Sequence, residues 1–355
     1  MSYYVAEAAH TDSMKPDKIL QDKLDTLTIL AYAFSHVDPV GNVIFNARQF
    51  STFLSLQNPK NHFKKTVSLG GADDKISFFN AIKHPHHFVR SLSTLIHQYE
   101  LSGVDLDFEI NRPYTPQEAN NLTQLVVMLR QELGAKAIIS ITTIIDPETL
   151  RSVGKDNWRL IAKNTNFISM MCFDLTSSFY KPAYTELASN LYLIPHAPNT
   201  LHNANLSCDE SINIMSTFKV PNEKMLLGLP AYGVSFGGVG SENNGLFQAA
   251  DPALTPIFDD LGKGLLRYST IIHLKQEGFQ EYTLRSNGHV NGVWSYNAEK
   301  HQFITYDNPE TVRSKMDYVF KNHLAGIMIW RVGQDVPIDD KDSLLSVVTR
   351  SIKTP

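Results

Sequence analysis

Eight short β-rich runs recur along the chain: Tyr3 to Glu7, Leu27 to Phe34, Lys65 to Gly70, Gly103 to Glu109, Ala137 to Thr143, Phe167 to Leu175, Met225 to Tyr232 and Gly326 to Val332. Stretches of helical periodicity separate them, which is the pattern of a parallel sheet wound by crossover helices. Several runs are apolar almost throughout, as strands covered on both faces must be. The helix signals between them are explicit. After the fourth run, Thr115 stands as N-cap, Pro116 at the first helical position, Glu118 completes a capping box, and Gly134 follows the end. Leu122, Leu125, Val126 and Leu129 are spaced to face a sheet. Asp307, Asn308 and Pro309 open a helix through Asn322 that delivers the chain to the eighth run. The fold expected is α/β, a TIM (β/α)₈ barrel occupying residues 1–355 as a single domain.

One interval breaks the rhythm. Between the seventh run and the last helix lie about 70 residues, far beyond the usual βα connection of ~2 to 6. Residues 235–300 carry glycine punctuation, a helical stretch near Tyr268 to Glu277 and a β-like piece at Gly292 to Tyr296. A small α+β subdomain inserted on the barrel rim is expected there.

With 43% hydrophobic and 19% charged residues, the chain can bury a large core. A net charge of -4 without a Lys/Arg-rich run argues against nucleic acid or an anionic membrane as partner. Cys172 and Cys208 are too few for a disulfide scaffold, and Cys172, inside an apolar run, is expected to be a buried free thiol. The N-terminal residues lack the basic start and apolar stretch of a secretory signal, and no segment reaches the ~18 apolar residues of a membrane span; the compartment is left open. The run His84-Pro85-His86-His87 invites a metal reading, but histidines beside a proline are expected on a solvated loop.

The segment with the most chemistry is Ser102-Gly-Val-Asp-Leu-Asp-Phe-Glu109, where Asp105, Asp107 and Glu109 alternate with Leu106 and Phe108. On a strand this sets three carboxylates on one face, roughly 6.5 Å apart in succession. An antiparallel strand with a wet acidic face would give the same alternation, but a βα-wound sheet leaves no face to water. The acids then lie inside, where they cannot all ionise cheaply, so a proton is held among them. That is how a general acid is kept available near neutral pH.

This segment resembles the Asp-Gly-x-Asp-x-Asp-x-Glu signature of glycoside hydrolase family 18, the chitinase family, with Ser102 replacing the first Asp. Ser68-Leu-Gly-Gly71 is similar to the family's third-strand Ser-x-Gly-Gly. Met171-Cys-Phe-Asp174 is similar to its Met-x-Tyr-Asp, Gly228-Leu-Pro-Ala-Tyr-Gly233 to its seventh-strand motif, and Gly326-Ile-Met-Ile-Trp330 to its eighth. The resemblance implies hydrolysis of β-1,4-linked N-acetylglucosamine glycans with retention, the substrate's own 2-acetamido oxygen attacking the anomeric carbon. It implies Glu109 as proton donor, Asp107 orienting the acetamido N–H, Asp105 tuning Asp107, and Asp174 holding the acetamido group. Trp330, Tyr232, Met171, Phe173, Tyr4, Phe34 and Gly71 would line the sugar site. The resemblance calls for no metal and no cofactor, and the partner implied is an N-acetylglucosamine-containing oligosaccharide or polysaccharide, bound by a monomer.

Other roles stay open for some of these residues. Trp330 could be a core indole, Asp174 a cap for a following helix, and Tyr232 packing alone. Departures from the family pattern also matter. Phe173 lacks the phenol hydroxyl that would reach the acetamido group, Ala72 stands where a Trp is common, and Val234 where an Arg is common, whereas the Ser102 hydroxyl could still make a local bond. These differences leave room for a chitinase-like lectin or interaction protein with little turnover. They also leave room for an endo-β-N-acetylglucosaminidase acting on glycoprotein or peptidoglycan-derived glycans.

Overall fold

The computed structural model describes residues 1–5, 18–58, 62–177, 183–194, 197–198, 201, 205–251, 261–262, 264–286 and 288–353. Its strands are β1 (Ser2–Val5), β2 (Ile29–Val37), β3 (Val43–Ile44), β4 (Lys64–Gly70), β5 (Gly103–Asp107), β6 (Ile138–Ile144), β7 (Phe167–Met171), β8 (Met225–Pro230), β9 (Tyr232–Phe236), β10 (Leu265–Arg267), β11 (Gln280–Ser286), β12 (His289–Asn297), β13 (Gln302–Tyr306) and β14 (Gly326–Trp330). One sheet runs in the order β1-β14-β8-β7-β6-β5-β4-β2-β3, and β1 also pairs in parallel with β2. The sheet therefore closes, with β3 as a short antiparallel appendage. This is the (β/α)₈ barrel that the alternation predicts.

The crossover helices form where their caps specify. The helix Pro116–Leu133 carries the full Thr115–Glu118 capping box, and Leu122, Leu125, Val126 and Leu129 are all buried. The helix Pro309–Lys321 is capped by the Asn308 side chain on the backbone of Glu310 and Thr311. The histidine run differs from expectation. Residues Pro85–Gln98 form a helix with Pro85 at its start, because proline's fixed φ suits the first turn and its missing N–H costs nothing there. Among the described residues no group of three or more His, Cys, Asp or Glu could hold a metal ion, and no helix is long and apolar enough to cross a membrane. Cys172 and Cys208 are free and buried.

The chain divides into two compact units. The first holds Met1–Met171, Ser211–Leu226 and His323–Met328; the second holds Cys172–Glu210, Leu227–Asn322 and Ile329–Pro355. The seventh β-run of the sequence is split: β8 ends at Pro230, and from Tyr232 the chain enters a separate five-stranded sheet, order β10-β9-β13-β12-β11. This antiparallel sheet packs a core of Val234, Phe236, Trp294, Tyr296 and Phe303. Val234 is 1% exposed, so the position where the family pattern favours Arg is here filled by a core side chain. In the same unit Lys315 Nζ donates to Asp307 Oδ2 and Ser189 Oγ, both at 2.6 Å, and the Lys–Asp pair is sealed from solvent.

Candidate active site

The first unit carries the acidic strand. Register places Ser68, Asp105 and Ser140 in one row across β4, β5 and β6. Asp105 is fully buried and surrounded by hydroxyls. Its Oδ1 accepts from Ser140 Oγ at 2.6 Å and Thr142 Oγ1 at 3.4 Å, and its Oδ2 accepts from Ser68 Oγ at 2.8 Å and Tyr3 OH at 3.1 Å. Burial pushes the Asp105 carboxyl up, and the hydroxyls pull it back.

Two residues on, Asp107 is 4% exposed, and its Oδ1 has no hydrogen-bond partner among the described residues. Burial, then the charge of Glu109, then that of Asp105 hold its carboxyl well above the usual range. With no donor to its anion among the described residues, Asp107 is the member of the pair that takes the proton. The strand ends there, so Glu109 does not close β5 as the sequence suggests; it lies two residues beyond, half-buried. Beside it is a small recess with room for about one water, bordered by Tyr114, Thr142, Thr143 and Thr149. Tyr114 OH donates to Phe108 O at 3.1 Å, and burial followed by the charges of Glu118 and Glu109 raises its phenol.

Gly70 and Gly71 allow β4 to approach this strand. Gly71 N donates to Asp107 O at 2.8 Å, and a Cβ on Gly70 would stand 2.2 Å from that same oxygen. Gly71, at φ +94°, meets the Phe34 ring, whose Cε2 would lie 2.6 Å from an added Cβ. Phe34 itself is half-buried and Met171 is buried at the end of β7. Tyr4 is a correction. Neighbouring strand residues face opposite ways, so with Tyr3 turned onto Asp105, Tyr4 is fully buried against Phe53, 5.9 Å between ring centres, and presents no surface to a sugar. Ser102 also differs from expectation, making only backbone bonds among the described residues, to Lys65 O and from Ile138 N.

The second unit holds Phe173, Asp174, Tyr232 and Trp330. Asp174 adopts φ +56°, and residues 175–177 form no helix for it to cap. Tyr232 is buried, and its hydroxyl donates to Asp174 Oδ1 at 2.6 Å, so the ring does more than pack. Solvent reaches Asp174, yet protein atoms crowd its carboxyl enough that desolvation raises it against the Tyr232 bond. Phe173 is buried edge-on to Tyr232, 6.2 Å between centres. Trp330 ends β14 half-buried, and its carbonyl accepts from Ala231 N at 2.8 Å. Ala72 is exposed.

Sequence comparison agrees with this architecture. The family pattern described as glycosyl hydrolases family 18 matches residues 1–335, and the chain belongs to that family of chitinase-type glycosidases. It is 24% identical to Chitinase 1 of Aphanocladium album over 328 residues, covering 89% of this chain and 71% of that one. It is 23% identical to Endochitinase 1 of Metarhizium robertsii over 343 residues, covering 89% and 71%. Among solved structures, a Bacillus thuringiensis chitinase superposes with a TM-score of 0.83 at 21% identity, over 99% of this chain and 69% of that one. The family 18 chitinase of Cycas revoluta in complex with (GlcNAc)3 gives 0.79 at 19% identity, over 99% and 98%.

Sequence reasoning missed the residues around the acids: Tyr3, Ser140, Thr142 and Tyr114. Each is a common residue whose proximity to Asp105 or Glu109 depends on strand register or loop path, which alternation does not encode.

Proposed function

We propose that this chain hydrolyses β-1,4-linked N-acetylglucosamine oligosaccharides with retention of configuration, using the substrate's acetamido group as nucleophile. The observation that carries this reading is the Asp107 carboxyl between Asp105 and Glu109: buried, raised, and with one oxygen unpaired among the described residues. A buried oxygen of this kind calls for a donor, and the acetamido N–H supplies one. That bond turns the acetamido carbonyl oxygen toward the anomeric carbon. Glu109 gives its proton to the glycosidic oxygen as the carbon–oxygen bond breaks and the acetamido oxygen bonds to the same carbon, leaving a cyclic oxazolinium ion. Glu109, now a carboxylate, takes a proton from water, whose oxygen opens the ring on the original face. Asp105, fixed by its hydroxyls, governs how the proton is shared with Asp107. Motif likeness gives Asp174, held by Tyr232, a second role at the acetamido group.

The test is cleavage of defined N-acetylglucosamine oligomers by the wild type and by Glu109→Gln, with calorimetry of binding to both. The reading expects the variant to lose about 10² to 10⁴ in rate while still binding. Equal cleavage by both proteins refutes it. A second reading, a glycan-binding protein with little turnover, draws on Phe173, whose ring has no hydroxyl to offer a developing charge. Binding without cleavage in either protein would establish that one.

A further inference from the structure

Arg331, directly after Trp330, is 6% exposed. Its Nε is sealed from solvent and unpaired, and its guanidinium makes no hydrogen bond or ion pair with the described residues. Arginine in a protein interior is normally held by a carboxylate or by carbonyls, because a buried charge without a partner is strongly destabilising. Here the neighbour is a second cation. Ala231 N donates to Trp330 O at 2.8 Å, and Tyr268 N donates to Ala231 O at 3.0 Å; this row sets Arg267, at the end of β10, near Arg331. Burial first, then the Arg267 charge, lower the Arg331 guanidinium to about 10, and it stays cationic at neutral pH. The nearby acid Asp335 serves a different group: its oxygens accept from Val336 N, Ser343 Oγ, Leu344 N and Leu345 N at the start of the helix Leu344–Lys353. Gln334, 3% exposed, is tied back by its N–H to Arg331 O at 3.0 Å. Its Oε1 is buried without a partner among the described residues, and turning the amide over puts a donor in that place.

We propose that Arg331, together with Gln334 and the neighbouring Arg267, forms an anion site that takes a carboxylate, supplied either by an acidic substituent on the bound glycan or by a small free anion. The free-anion source stands independently of the function proposed above, and the glycan source rests on it.

The probes are sodium acetate and two disaccharides, neutral di-N-acetylglucosamine and N-acetylglucosaminyl-N-acetylmuramic acid, titrated calorimetrically into the whole chain, with Arg331→Met and Arg331→Lys as variants. Acetate is expected to bind the wild type saturably, to bind Arg331→Lys at least about tenfold more weakly, since lysine lacks the planar fork, and not to bind Arg331→Met. The methionine variant is expected to melt no lower than the wild type in acetate-free buffer, since it removes an uncompensated charge. A wild-type preference of about tenfold for the acidic disaccharide, lost in Arg331→Met, identifies the glycan as source; an acetate response without that preference identifies a free anion. No acetate binding by the wild type, or equal binding by Arg331→Met, overturns the site. Should Arg331→Met not fold, the wild-type and Arg331→Lys titrations decide. Failure of the neutral disaccharide to bind would count against the glycosidase reading alone.

Discussion

Replacing Ser140 with Ala removes the shortest hydrogen bond to Asp105, 2.6 Å, and leaves Oδ1 with only the 3.4 Å contact from Thr142. A hydrogen bond to an ionised group is worth about 1.5 to 3 kcal/mol and one to a neutral group about 0.5 to 1.5. The variant should therefore lose about 2 kcal/mol of stability where Asp105 is charged and about 1 kcal/mol where it is protonated. The difference raises the already elevated Asp105 carboxyl still further. The sign follows from linkage. The folded-state carboxyl lies above its unfolded value, so its contribution to stability is present below the unfolded value, ~3.9, and is lost as pH rises through the folded one. Ser140→Ala deepens that loss. In a chain of this length 1 kcal/mol moves Tm by about 1.3 °C, so calorimetry should show a deficit of about 3 °C at pH 8 and about 1 °C at pH 3. A deficit independent of pH, or larger in acid, would refute a charged Asp105 held by hydroxyls.

Three further outcomes are expected. Phe173→Tyr should raise the hydrolysis rate by about 10² if a missing phenol donor limits turnover; an unchanged kcat on N-acetylglucosamine oligomers would show that the donor is supplied elsewhere. Lys315→Met strands the buried Asp307 carboxylate and should cost about 3 to 5 kcal/mol in unfolding experiments, most of it recovered by adding Asp307→Leu. Gly71→Ala places a methyl 2.6 Å from the Phe34 ring at a left-handed φ, and a loss of about 1 to 3 kcal/mol by thermal unfolding is expected.

The barrel was legible because each of its strands is a short run closed by turn or cap residues, and the capping box at Thr115 could be read directly. The ends of strands were less so. Glu109 continues the alternation of Asp105 and Asp107, yet pairing stops at Asp107, because a strand ends where its neighbours no longer offer partners. Tyr3 and Tyr4 show the limit most clearly: both are tyrosines on one short strand, and only the position of β1 beside β2 decides which of them reaches Asp105. The Arg331 environment left no trace in the sequence at all, since it depends on what fails to lie near a side chain.

The hydroxyl row on β4, β5 and β6 also speaks to the history of the chain. Mutation tends to replace a buried acid and its hydroxyl partners with well-packed apolar residues, which fold at least as stably. A lineage released from the need for that acid would drift toward such an interior. Here Ser68, Asp105 and Ser140 stand aligned, with Tyr3 turned onto the same carboxylate, so the interior is arranged to hold an acid at this spot where apolar packing would fold at least as well.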